Sequence, residues 1–180
     1  MQIPNFVTHY SRGTPFRSMT HVPQENWSKV IAELNETNTW GVSRFKDPEY
    51  LSRRLEVENS LREKFISKGG KPILRNPIYF FLGRNNQFEE HKGNIGYKIY
   101  LKDLPSGSIS FTYGDSLIGH NEDYRNRSGE KYQNVLSREI FLFEEIHSLF
   151  LNEKFPKNDR LNVEAQLWVE PSKEIVQFLD

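Results

Sequence analysis

The stretch Asp47 to Gly70, DPEYLSRRLEVENSLREKFISKGG, carries the strongest local signal in the chain. Asp47 is an N-cap type of residue, and Pro48 suits the first helical position, where a missing N–H removes no internal hydrogen bond. Leu51, Leu55, Leu61 and Phe65 then mark an apolar stripe, and Gly69-Gly70 ends the run. The pattern predicts a long surface helix of about five turns. Its other face carries Arg53, Arg54, Arg62, Lys64 and Lys68, interleaved with Glu56, Glu58 and Glu63.

Upstream, Pro23 to Glu36 repeats Trp27, Val30, Ile31 and Leu34 at helical spacing, which predicts a second helix. Asn5 to Ser11 reads as a short strand that ends at the turn Arg12-Gly13-Thr14-Pro15. Downstream of the glycines the period becomes that of strands, over Pro77 to Leu82, Gly96 to Leu101 and Ser108 to Thr112. Asn162 to Val169 alternates as a last strand with Glu164 and Gln166 on one face. Gly114 to Arg127 is mostly polar and is expected to be a long loop, of the kind that serves as a ligand lid. Ser137 to Leu151 is read as a helix, although its Ile140-Phe141-Leu142-Phe143 run also suits a strand. A strand, then helices, then mostly strands predicts a single α+β domain over residues 1–180 rather than a doubly wound sheet.

Composition narrows the function classes. Charge balances at 24 basic and 24 acidic residues, so no global field draws the protein to nucleic acid or to an anionic membrane. The absence of cysteine excludes a disulfide framework, thiolate zinc sites and a cysteine nucleophile. Met1-Gln2-Ile3-Pro4-Asn5 has neither a charged leader nor an apolar run, and no later segment approaches membrane-spanning length, so the expected location is the cytoplasm, with no membrane partner. No phosphate loop ending in Lys-Ser or Lys-Thr and no three-glycine dinucleotide fingerprint is present. The five histidines are scattered, so no metal site is expected. Tyr113-Gly114-Asp115-Ser116 places a serine after a strand but lacks the second glycine of a nucleophile elbow.

Three short segments form a set: Thr8-His9-Tyr10-Ser11, Pro77-Ile78-Tyr79-Phe80 and Val163-Glu164-Ala165-Gln166. In that order they resemble the His-Tyr-Glu branch of the ADP-ribosyltransferase superfamily, and the chain is similar to compact bacterial toxin enzymes that modify nucleic acid. The resemblance extends loosely over the whole chain. It implies split, mostly antiparallel sheets around a central cleft, with helices inserted after the first strand. It also implies NAD as co-substrate, mono-ADP-ribosyl transfer to a nucleic-acid or protein acceptor, and a toxin or phage-defence role with an antitoxin as partner.

The chemistry that the resemblance implies suits these residue types. Cleavage of the nicotinamide–ribose bond passes through an oxocarbenium-like state, which a carboxylate at Glu164 stabilises. His9 would hydrogen-bond a ribose hydroxyl, the backbone of Tyr10 would meet the carboxamide, the Tyr79 ring would stack on nicotinamide, and Arg12 would meet the pyrophosphate. The poly(ADP-ribose) polymerase branch has Gly before its Ile-Tyr-Phe segment and Ser a few residues after. Here Pro77 stands first and Gly83-Arg84-Asn85-Asn86-Gln87 contains no Ser, leaving Asn85, Asn86 or Gln87 to hold the nicotinamide amide. The arginine-modifying branch has paired acids, where this chain has Glu164 followed by Gln166.

Two other readings use different residues. A non-catalytic RNA- or DNA-binding module would use the basic helix face with Lys68, Lys71 and Arg75, assisted by Tyr124, Arg125, Arg127, Lys131 and Tyr132. A protein-interaction domain would leave all three motifs as ordinary core and surface.

Overall fold

The computed structural model describes residues 3–36, 41–128, 132–151 and 163–179. Asn162 and Lys131 lie outside them. Among the described residues seven strands form one antiparallel sheet: β1 (Phe6–Ser11), β2 (Ile78–Leu82), β3 (Ile95–Tyr100), β4 (Ile109–Tyr113), β5 (Ile140–Phe141), β6 (Val163–Leu167) and β7 (Gln177–Phe178). Their order across the sheet is β5-β4-β6-β2-β1-β3-β7. Helices α1 (Trp27–Glu36) and α2 (Tyr50–Ser67) lie between β1 and β2 in the chain. The short α3 (Asn86–Glu89) follows β2, α4 (Ser116–His120) and α5 (Glu122–Arg127) follow β4, and α6 (Phe143–Leu151) follows β5. The architecture is mixed α+β. No helix among the described residues is long and apolar enough to cross a membrane.

Strand alternation divides the side chains between two faces. Ile78, Phe80, Phe111, Ala165 and Leu167 share one core with Ile146 of α6. On the opposite face Val57, Leu61 and Phe65 of α2 pack with Trp168, Leu117 and Ile140. The rings of Phe65 and Trp168 stack 5.9 Å apart, which anchors α2 at its C-terminal end. There Gly70 N donates to Phe65 O at 2.9 Å, with Gly69 at φ +89°, a conformation open to glycine and strained for other residues.

Several elements differ from their sequence-based expectation. The first turn of α2 begins at Tyr50, because Asp47 Oδ1 accepts from Glu49 N at 2.9 Å and turns the chain before the helix starts. The polar stretch after Gly114 is α4 and α5, not an extended loop. Asp115 and Asn121 cap them through side-chain oxygens, so local capping organises a segment without an apolar stripe. The segment expected to be one helix from Ser137 divides into a 3-10 turn (Val135–Arg138), β5 and α6. Its Ile140–Phe141 pair is drawn into the sheet beside Phe111 and Thr112 of β4.

Candidate functional site

The α2 face presented to the sheet follows Leu51, Arg54, Glu58, Leu61 and Phe65, a helical period with two charges in its middle. Arg54 and Glu58, expected on the solvated side, are both turned inward. Glu58 is fully buried and receives three hydrogen bonds: Tyr79 OH at 2.8 Å, Asn76 Nδ2 at 2.7 Å and Thr20 Oγ1 at 3.1 Å. Arg54 Nε lies 3.4 Å from the same carboxylate. Its guanidinium carbon sits 4.0 Å from the centre of the Tyr79 ring, a cation–π distance. Burial and the two neighbouring carboxylates, Glu58 and Glu164, hold the Tyr79 phenol well above its ordinary pKa, against the pull of Arg54, so it stays a donor.

Arg54 continues toward the last strand. Its Nη1 donates to Ser116 Oγ at 3.3 Å, and Ser116 N donates to Glu164 Oε1 at 3.2 Å. Glu164 and Gln166 share the β6 face that looks toward α2, as the alternation predicts. Gln166 Nε2 donates both to Thr112 Oγ1 at 2.9 Å and to Glu164 Oε1 at 3.2 Å, while Gln166 Oε1 accepts from Ser110 Oγ at 3.0 Å. This buried polar chain fixes the carboxylate. Burial, and secondarily the charge of Asp115, push the Glu164 carboxyl up to about 7, although Arg54 pulls the other way.

Between α2 and the turn that follows β1 lies a cavity of about 210 Å³, walled by Arg17, Arg44, Arg54, Tyr50, Glu58 and Tyr79. Glu164 is not in its lining; Arg54 stands between them. The arginines outnumber the carboxylate, which is itself saturated by its hydrogen bonds, so the cavity favours an anionic ligand. Its volume is below the roughly 300 Å³ of whole drug-sized ligands and suits one ring or one sugar.

Of the expected site residues, the structure brings Tyr79 and Glu164 to one face. Cross-strand pairs Tyr79↔Gln166 and Phe81↔Glu164 set them diagonally on adjacent strands. His9 is on the other face. Thr8 pairs with Phe81, so His9 falls beside Phe80, with ring centres 5.4 Å apart. Both imidazole nitrogens are engaged: Nδ1–H donates to Tyr79 O at 2.8 Å, and Nε2 accepts from Phe16 N at 3.1 Å. The carbonyl partner can only accept and the amide can only donate, which fixes the neutral tautomer. Burial also lowers the His9 pKa, against the opposing hydrogen bond to Tyr79. The imidazole thus bridges β1 to β2 where their ladder has ended after Thr8↔Phe81.

The remaining candidates gather at the far corner of β1. Tyr10 OH donates to Glu89 Oε1 at 2.8 Å and accepts from Asn85 N at 2.9 Å. Arg12 is exposed and donates to Asn94 Oδ1 at 3.2 Å. Asn85 Oδ1 caps α3 by accepting from Phe88 N at 3.3 Å, and Gln87 is exposed on that helix. The basic residues of α2 are spent on the protein itself: Arg53 on Glu49 and Asp123, Arg62 on Pro72 O and Leu74 O, Lys64 on Arg138 O, and Lys68 on Glu145.

Arg54 and Glu58 are the site residues that sequence reasoning passed over. Their signal is present in the sequence: the inward period of α2 from Leu51 to Phe65 steps through both, a charged i,i+4 pair inside an apolar stripe.

No protein-family model matches the chain, and no curated protein or solved structure matches it.

Proposed function

We propose that the protein is a mono-ADP-ribosyltransferase that uses NAD, with the reacting end of the dinucleotide in the Tyr79–Arg54 cavity. The observation that carries this reading is a buried carboxylate, Glu164, on the same face as the Tyr79 ring and joined to it through Ser116 and Arg54.

Tyr79 offers an aromatic surface to a flat cationic ring once Arg54 yields its place on it. The exposed Arg17 and Arg44, on the cavity wall, supply charge for a pyrophosphate lying outside it. In the reaction the C1′–N bond breaks and nicotinamide leaves neutral with the bonding pair. Positive charge then grows on the ribose, and the ionised Glu164, which Arg54 separates from the cavity, stabilises it once Arg54 has moved aside. An acceptor oxygen or nitrogen closes a new bond to C1′ and gives up a proton. A carboxyl with a pKa near 7 is suited to take that proton at neutral pH. His9 supports this site from behind, holding the Tyr79 carbonyl rather than the substrate.

Nicotinamide release from NAD tests the reading. Wild type is expected to release it and to melt at a higher temperature with NAD present. Glu164→Gln should keep the thermal shift and lose release by at least about a hundredfold. Undiminished release from that variant would remove Glu164 from the chemistry.

A further inference from the structure

Two hydroxyls and an amide fill the middle of the sheet, where apolar residues would pack without any desolvation cost. Cross-strand pairs Ser110↔Gln166 and Thr112↔Glu164 put them on the β6 face that looks toward α2, and Ser110, Thr112 and Gln166 are fully buried there. Two residues beyond Gln166 the same face carries Trp168, also fully buried. Its backbone is clamped: Trp168 N donates to Ser108 O at 2.8 Å, and Trp168 O accepts from Ile73 N at 2.9 Å and from Leu74 N at 2.8 Å. Stacking on Phe65 holds the plane of the ring. In this position Trp168 Nε1 donates to Ser110 Oγ at 2.9 Å. The chain of hydrogen bonds therefore runs from Glu164 through Gln166 and Ser110 and ends on an indole N–H, a group that can only donate.

We infer that Trp168 and Ser110 are positioning residues for Glu164, because the indole N–H decides which end of the Gln166 amide meets the carboxylate. With one Ser110 lone pair taken by the indole, the hydroxyl hydrogen points at Gln166, so the amide presents its oxygen to Ser110 and its nitrogen to Glu164 and Thr112. The reversed amide would leave the Ser110 hydrogen without an acceptor and set an oxygen against the carboxylate. Thr112 closes the other branch. Its hydroxyl donates to Gly114 O at 3.3 Å, which leaves its oxygen to receive Gln166. A donor held on Glu164 Oε1 favours the ionised carboxylate and fixes its orientation; without the indole, the reversed amide accepts from a protonated carboxyl instead. Trp168 thus acts on the carboxylate through two intervening side chains. The part of the inference that concerns the reaction rests on the transferase reading, and the orientation of the amide does not.

The test is the carboxyl ¹³C titration of Glu164 in the whole protein, alongside the pH profile of nicotinamide release. Trp168→Phe keeps an aromatic ring against Phe65 while removing the N–H, and Ser110→Ala breaks the same chain with a smaller change of volume. Both should raise the Glu164 midpoint by about one pH unit, the worth of one hydrogen bond to a charged group. The acid limb of nicotinamide release should move up by the same amount. The double variant should shift no further than the larger of the two singles, since both act on one chain. Phe65→Leu loosens the packing of the indole but leaves its N–H on Ser110, so its midpoint should match wild type. Arg54, Asp115, Tyr79 and Tyr132 face Glu164 from α2, the α4 cap, β2 and the chain before β5, and every one of these substitutions leaves them in place. An unmoved midpoint in Trp168→Phe and Ser110→Ala overturns the inference, and so does a shift in Phe65→Leu as large as theirs. A raised midpoint in proteins that release no nicotinamide upholds the chain and removes the transferase reading alone.

Discussion

The guanidinium of Arg54 lies over the ring of Tyr79 at 4.0 Å while the hydroxyl of that same ring donates to Glu58, the acid one helical turn from the arginine. Three groups from α2 and β2 thus close a loop in which each restrains the other two. A paired buried charge is tolerated because its partner and hydrogen bonds offset desolvation, whereas an unpaired one is not.

Glu58→Ala should therefore destabilise by about 3–5 kcal/mol, since it strands the Arg54 charge and leaves Tyr79, Asn76 and Thr20 without their acceptor. Replacing both partners, as Arg54→Met with Glu58→Leu, should recover much of that loss, because an apolar pair carries no desolvation cost. Urea unfolding of the single and double variants measures the difference. A double variant as unstable as Glu58→Ala would mean that the polar network, not the charge pairing, holds α2 to the sheet.

Glu164 makes stability depend on pH above the acid range. Its folded-state pKa of about 7 exceeds the ordinary 4.5, so between those values the native state binds more protons than the unfolded chain. Stability from this group is full below about 4.5 and is lost as pH rises through 7. Glu164→Gln has no such titration, so relative to wild type it should gain on the order of 3 kcal/mol between pH 4.5 and pH 8. Thermal unfolding of both proteins across that range checks it. Parallel curves would show that the carboxyl titrates normally.

What could be read in the sequence follows the strength of local periodicity. The strand containing Glu164 and the long helix were legible, since alternation and an apolar stripe are local properties. The facing of His9 was not. Which side of the sheet it takes depends on the pairing of Thr8 with Phe81, two residues more than seventy positions apart. Arg54 and Glu58 were misplaced for a related reason: charge type suggests solvent, and only the tertiary partners Tyr79, Asn76 and Ser116 make an inward orientation favourable. The capped turns of α4 and α5 lack apolar repeats altogether, so composition alone read them as loop.

The His9 bridge gives a prediction of opposite sign to that for Glu164. Its folded pKa lies below the ordinary 6.5, so the neutral ring contributes stability above 6.5 that is lost as pH falls. Protonation would also put a hydrogen on Nε2, the atom that accepts from Phe16 N. His9→Ala should cost about 1–3 kcal/mol at pH 7.5 and less at pH 5.5. Nitrogen NMR at neutral pH should find the proton on Nδ1. A proton on Nε2 would contradict the bridge, because neither the Tyr79 carbonyl nor the Phe16 amide would then be satisfied.

Gly119 sets how closely α4 approaches the chain before β5. A Cβ placed there would come 2.0 Å from Ser137 O, a backbone atom with no rotamer by which to escape. Ser137 is itself anchored, its hydroxyl donating to Tyr132 O at 2.8 Å and its amide to Asn134 O at 3.0 Å, so the segment resists displacement. Gly119→Ala must then move α4, which carries the Ser116 amide that donates to Glu164. The expected cost is about 1–3 kcal/mol, as for other overpacked sites. Because α4 shifts the amide away, the Glu164 carboxyl loses a hydrogen bond that favours its ionised form, and its pKa should rise further. The carboxyl ¹³C titration of Glu164, followed in wild type and Gly119→Ala, reads this directly. Gly13→Ala, where an added Cβ meets nothing within 4 Å, serves as control and should leave both stability and titration unchanged. A Gly119→Ala protein as stable as wild type, with the Glu164 midpoint unmoved, would show that α4 does not hold the carboxylate.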